Sequence, residues 1–172
     1  MATVINTSLD RSRRALLRGR VRARPLLRPP WALDEARFVD ACTGCGDCIA
    51  ACPERVLAVG EGALPEFDPS LGECSFCGDC ARACGEPAFG LLADAPWTLR
   101  AEVGDTCLTR KGVVCSSCRD ACGESAITFP VTSAVPSPHV DAGRCTGCGA
   151  CVGACPAAAI GLHASVEEAV DA

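Results

Sequence analysis

The chain has 172 residues, 49% of them apolar, yet it holds only five Phe, two Trp, one Met and no Tyr. Side chains alone make a thin core, which points to one domain, or two very small ones, held by covalent or metal staples. The formal charge of −5 hides a division: residues 1–31 carry eight Arg against one Asp, whereas residues 32–172 carry eight basic against twenty acidic residues. No stretch approaches the roughly 20 apolar residues of a membrane span, so none is expected.

The N-terminal segment reads Ser12-Arg13-Arg14-Ala15-Leu16-Leu17-Arg18 and looks like a twin-arginine export motif. An export signal needs an apolar stretch of about 7–15 residues after its basic region. Here Arg20, Arg22 and Arg24 interrupt the sequence instead. The expected location is therefore the cytoplasm, which disfavours disulfides. Residues 1–31 read as a basic, flexible arm, with Arg13, Arg14, Arg18 and Arg20 as candidate contacts to an acidic partner surface. Nucleic acid is not expected, because Trp31 is the single aromatic of the arm and no stacking residues alternate with the arginines.

Four cysteine runs follow. The first is Cys42, Cys45, Cys48 and Cys52, closed by Pro53. The second is Cys74, Cys77, Cys80 and Cys84, closed by Gly85. The third is Cys107, Cys115, Cys118 and Cys122, closed by Gly123, with its first member displaced by residues 108–114. The fourth is Cys145, Cys148, Cys151 and Cys155, closed by Pro156. All sixteen cysteines belong to these runs. Between the first two, Val56–Val59 and Leu64–Phe67 flank a glycine turn and predict a β-hairpin. Ile127–Phe129 and His139–Val140 repeat that pattern. A short helix is expected to carry the last two cysteines of each run, as in 47–52. The joint near 85–106 holds Pro87, Pro96 and an exposed-looking Trp97.

A C-x2-C-x2-C loop converges three thiolates on one polynuclear iron–sulfur cluster. Gly44, Gly46, Gly78, Gly147 and Gly149 would let backbone amides approach its sulfides. In two-cluster ferredoxins the fourth cysteine ligates the neighbouring cluster. On that model Cys84 joins Cys42, Cys45 and Cys48, while Cys52 joins Cys74, Cys77 and Cys80. Likewise Cys155 joins Cys107, Cys115 and Cys118, and Cys122 joins Cys145, Cys148 and Cys151. The cofactors are then [4Fe–4S] clusters, three or four of them. The irregular third run holds a full cluster, a three-iron or labile cluster, or none. Structural zinc uses paired knuckles across a longer loop and fits poorly. His139 and His163 are not needed as ligands. No nucleophile–base pair, phosphate-cradling loop or paired carboxylates stand out, so catalytic residues are not expected and the chain reads as no enzyme.

The fold class is α+β: two tandem ferredoxin-like modules of short hairpins and helices after a basic arm. The expected boundaries are arm 1–31, first module 32–86, linker 87–106, second module 107–164 and acidic tail 165–172.

The runs resemble bacterial-type ferredoxins, and residues 10–163 resemble one family, NapF, the ferredoxin-type accessory proteins of the periplasmic nitrate reductase system. The likeness rests on Ser12-Arg13-Arg14 with Leu16-Leu17-Arg18-Gly19-Arg20, on Arg28-Pro29-Pro30-Trp31 and on Glu73-Cys74-Ser75-Phe76-Cys77. It continues through Gly104-Asp105-Thr106-Cys107 to Cys148-Gly149-Ala150-Cys151. Gly85 and Gly123 depart from the usual proline. The resemblance implies a cytoplasmic protein that binds the precursor of the nitrate reductase catalytic subunit and aids its maturation by electron transfer or cluster assembly. The alternative is an electron-transfer polyferredoxin subunit of a redox complex.

Overall fold

The structure is a computed structural model that describes residues 26–131 and 133–164. The expectations for Arg13, Arg14, Arg18 and Arg20 and for the acidic tail lie outside these residues. Helix α1 spans Glu35–Ala41, and the Asp34 carboxylate caps it by accepting from the Arg37 amide at 3.2 Å. Its inner residue, Phe38, is fully buried. One-turn helices then follow three of the glycine loops and the Ser116 turn: α2 at Asp47–Ala50, α3 at Asp79–Arg82, α4 at Ser117–Asp120 and α5 at Ala150–Gly153. Each carries only the third cysteine of its run. The fourth cysteine falls beyond the helix end, because a single turn stops before reaching it.

Strands β1 (Leu57–Val59) and β2 (Pro65–Phe67) form the first expected hairpin, with Leu57 opposite Phe67. The chain reverses through a tight turn at Glu61–Ala63, where Gly62 takes a φ of 71°. Strands β4 (Ile127–Thr128) and β5 (His139–Val140) form the second hairpin, with Ile127 opposite Val140. The remaining sheet pairs β3 (Leu99–Val103) with β6 (Ile160–Ala164), antiparallel, Ala101 facing Leu162. Residues 99–103, expected within a linker, thus open the second half of the fold. Their inward Ala101 and the facing Ile160 and Leu162 bury a common apolar face.

The last residues of the expected arm are also built into the fold. Leu27 is buried, and its carbonyl accepts from the Phe67 amide at 2.7 Å. The Arg28 guanidinium makes a two-pronged bond to Glu35, both at 2.9 Å, and lies 5.0 Å over the Phe38 ring. Trp31 is buried, donates its indole N–H to the Asp94 carbonyl at 2.9 Å, and borders an isolated bridge between Ala32 and Phe89. Trp97 is half-buried rather than exposed. Its ring lies 5.0 Å from Phe67 and 5.5 Å from Phe76, which shields it from water.

Each half therefore repeats one plan, an outer pairing around an inner hairpin. The core runs along both, and Cys48, Cys80, Cys118 and Cys151 are part of it.

Candidate iron–sulfur sites

The sixteen thiols, all free, gather into four groups. One cavity is lined by Cys145, Cys148, Cys151 and Cys122. A second is lined by Cys107, Cys115, Cys118 and Cys155. A third is lined by Cys74, Cys77, Cys80 and Cys52. The remaining group forms around Cys48, whose thiol burial and then the charges of Cys42, Cys84 and Cys45 push up to about 11. In every group three cysteines come from one run and the fourth from the neighbouring run. Cys107 stands with its group despite the insertion, because a tight turn at Thr109–Lys111 folds the extra residues back.

Local backbone explains the convergence. Gly46, Gly78 and Gly149 enter their helical turns with φ of 85°, 79° and 96°, which L side chains rarely adopt. Phe76 takes φ 53° without that freedom, its ring held between Trp31 and Trp97. The third run lacks this glycine; Ser116 enters at φ −136° and its hydroxyl bonds Asp120 at 2.8 Å.

Donors point at the sulfurs. The amides of Ala126 and Ala159 approach Cys122 and Cys155 at 3.3 Å, and that of Ala101 approaches Cys145 at 3.4 Å. The Phe76 amide approaches Cys74 at 3.4 Å. The hydroxyls of Thr109 and Ser117 lie 3.3 and 3.6 Å from Cys107 and Cys115. Neither hydroxyl stood out in the sequence, although each sits two residues after a cysteine. Cys84 differs, since its thiol donates to the Glu86 carbonyl at 3.4 Å.

Burial, then neighbouring thiols, push Cys80 and Cys151 up to about 12, and burial with Cys52 and Cys77 pushes Cys74 up to about 11. Four thiolates, one of them buried in each group, crowd together unfavourably without positive charge among them. Metal supplies that charge, and thiolate is the form that binds it. Among the described residues, no three His, Cys, Asp or Glu side chains close around a single ion. In three of the groups four thiols instead line one common cavity, an arrangement that suits a polynuclear group. The donor set, all sulfur with amides turned inward, fits a [4Fe–4S] cluster. His139 and His163 are exposed, the latter 3.7 Å from Glu102. No helix among the described residues is long and apolar enough to cross a membrane.

Residues 41–88 match a family model described as a 4Fe-4S dicluster domain, and residues 138–161 match one described as a 4Fe-4S binding domain. The ferredoxin-type protein NapF of Escherichia coli strain K12 is 42% identical over 154 residues, covering 88% of this chain and 94% of that protein. NapF of Haemophilus influenzae is 42% identical over 138 residues, covering 80% of this chain and 78% of its own length. The methylamine utilization ferredoxin-type protein MauM of Methylorubrum extorquens is 38% identical over 146 residues, covering 73% of this chain and 66% of that protein.

Proposed function

Because this chain belongs to the NapF family of ferredoxin-type proteins, we propose that it is a cytoplasmic accessory protein that aids maturation of the periplasmic nitrate reductase catalytic subunit before export. As an iron–sulfur protein with 4Fe-4S domains it acts by electron transfer or by assisting cluster assembly, and not as an enzyme. Its two tandem modules hold four [4Fe–4S] clusters, one per group of thiols. The ligand sets are Cys42, Cys45, Cys48 and Cys84; Cys74, Cys77, Cys80 and Cys52; Cys107, Cys115, Cys118 and Cys155; and Cys145, Cys148, Cys151 and Cys122. These are called below the first, second, third and fourth sites.

The observation that carries the reading is the grouping of three thiols from one run with the fourth from its neighbour around each site. When bound, each cluster supplies one-electron redox chemistry. The protein's own part is to hold the thiolates, turn amides and hydroxyls toward sulfur, and keep water from the buried third cysteines.

Iron and acid-labile sulfide, measured on anaerobically purified protein, decide the cluster count. About sixteen irons per chain means four sites, and about twelve means the third is empty. Recognition of the precursor is assigned to the basic arm with Arg13, Arg14, Arg18 and Arg20. A pull-down of the cytoplasmic precursor with the full chain, and with Arg13, Arg14, Arg18 and Arg20 replaced by Gln, tests this. Equal capture by both refutes the arm's role.

A further inference from the structure

The cysteine groups do not follow one another in chain order. Within each half, the shared fourth cysteines bind neighbouring groups together, the first to the second and the third to the fourth. The link between halves runs elsewhere. The Cys74 amide donates to the Cys148 carbonyl at 2.8 Å, so the second group meets the fourth directly. A Cβ on Gly149 would sit 2.8 Å from the Pro69 side chain and 3.0 Å from the Phe67 ring, so only a glycine lets the fourth run approach this closely. Trp97 spans the same junction. Its indole N–H donates to the Thr146 carbonyl at 2.9 Å, while its ring packs on Phe67 and Phe76 of the first half.

We propose that the four sites form one row in the order first, second, fourth, third, and that Trp97 is the positioning residue that holds the middle step. The row rests on the reading of the thiol groups as cluster sites. Its ends are then the first site, with Cys45 exposed, and the third, around which the irregular run folds. A row in chain order would instead bring the second site against the third. The residue that the Cys74 amide reaches across the junction, through its carbonyl, is Cys148, not any cysteine of the third run.

The test uses paired removals in the full chain, read by electron spin resonance after reduction. Replacing Cys42, Cys45, Cys107 and Cys115 by Ser leaves the second and fourth sites. Replacing Cys74, Cys77, Cys107 and Cys115 leaves the first and fourth. Magnetic splitting is expected in the former protein and not in the latter. With about eight irons retained in each, an unsplit second–fourth pair, or a split first–fourth pair, overturns the row alone. An unsubstituted chain that binds no iron brings down the underlying reading and the row with it.

A second measurement needs no removal. Hydrogen exchange of the peptide containing Cys74 is expected to be slow in the loaded, unsubstituted protein. Trp97→Ala should speed it about tenfold, and Trp97→Phe, which keeps the ring contacts, much less. Free exchange in the unsubstituted protein overturns the junction. Trp97→Ala should also diminish the second–fourth splitting at unchanged iron content; undiminished splitting removes Trp97 from the positioning role.

Discussion

The two halves of the molecule share a plan and differ in how they are closed. In the second half the outer pairing is a five-residue ladder, β3 against β6. In the first half it shrinks to a single bridge between Ala32 and Phe89, and the entering segment is held instead by Leu27, Arg28 and Trp31. The sulfurs differ too. The second half aims two amides at its fourth cysteines and two hydroxyls at the third site, whereas Cys84 in the first half faces a carbonyl. Pro87 is the reason. Cys52, Cys122 and Cys155 are each followed three residues on by a residue at positive φ, Arg55, Ser125 and Ala158, and after the latter two the next amide turns back to sulfur, whereas Pro87 holds that place after Cys84. Proline cannot take that φ. Regular cysteine spacing and a regular sulfur environment are thus separate properties. The first half has the former, and the irregular third run sits in the half that has more of the latter.

The most severe way to break the comparison is to remove fourth cysteines. Cys52→Ala is expected to abolish the second site and spare the first, even though Cys52 belongs to the first run. Cys84→Ala should do the reverse. Each should cost about four irons per chain, counted chemically and assigned by which spin-resonance signal disappears. Loss of the first site in Cys52→Ala would mean each run closes its own site.

Core truncations come next. Phe38→Ala in α1 should cost about 3–5 kcal/mol, and Leu162→Ala in β6 about 2–5 kcal/mol, since both are almost fully buried. Anaerobic denaturant unfolding measures both. Hydrogen exchange should then separate them, with Phe38→Ala loosening the entry segment 26–33 and Leu162→Ala the β3–β6 ladder. Loosening spread equally over both halves in either variant would deny that they are closed independently.

These contrasts were unevenly legible in the sequence. The cysteine runs and both hairpins follow from local spacing, whereas whether a fourth cysteine serves its own run or the neighbouring one does not, and in the sequence the exchange rests only on the two-cluster ferredoxin pattern. Nor does the β3–β6 ladder follow from local spacing. Leu99–Val103 alternates apolar and charged residues as a half-buried strand does, but its partner lies some sixty residues later, so no local pattern marks the pairing. Trp97 looked exposed because its neighbours are prolines and acids, while its packing comes from Phe67 and Phe76, distant in sequence. Arg28 belongs by sequence to the basic arm, yet it is held by Glu35 and the face of Phe38.

Arg28→Ala is accordingly expected to destabilise the first half by about 1–3 kcal/mol, through the lost charged hydrogen bonds and ring contact. Arg28→Lys should recover only part, because an ammonium cannot make the two-pronged bond. Thermal unfolding of the loaded protein reads both. Full recovery by Lys would show that charge, not the planar fork, fastens the segment.

The smallest effect is the most specific. Thr109 is a buried polar residue, 5% exposed, with its hydroxyl 3.3 Å from the Cys107 sulfur. Burial alone raises that thiol. The hydroxyl and amide of Thr109, with the amide and charge of Arg110, outweigh it and leave Cys107 below its ordinary value. Donors that favour negative charge on sulfur also favour the reduced, more negative state of a bound cluster. Thr109→Val keeps the shape and removes the hydroxyl. It should lower the potential of the third site by about 20–60 mV, the one-electron equivalent of a single hydrogen bond. Ser117→Ala should act in the same direction at the same site, more weakly given its longer 3.6 Å contact. Potentiometric titration followed by spin resonance resolves the sites. A potential that rises, or first-half sites that move equally, would separate the displaced run's hydroxyls from its redox tuning, and leave the insertion with only the geometric task of returning Cys107 to its group.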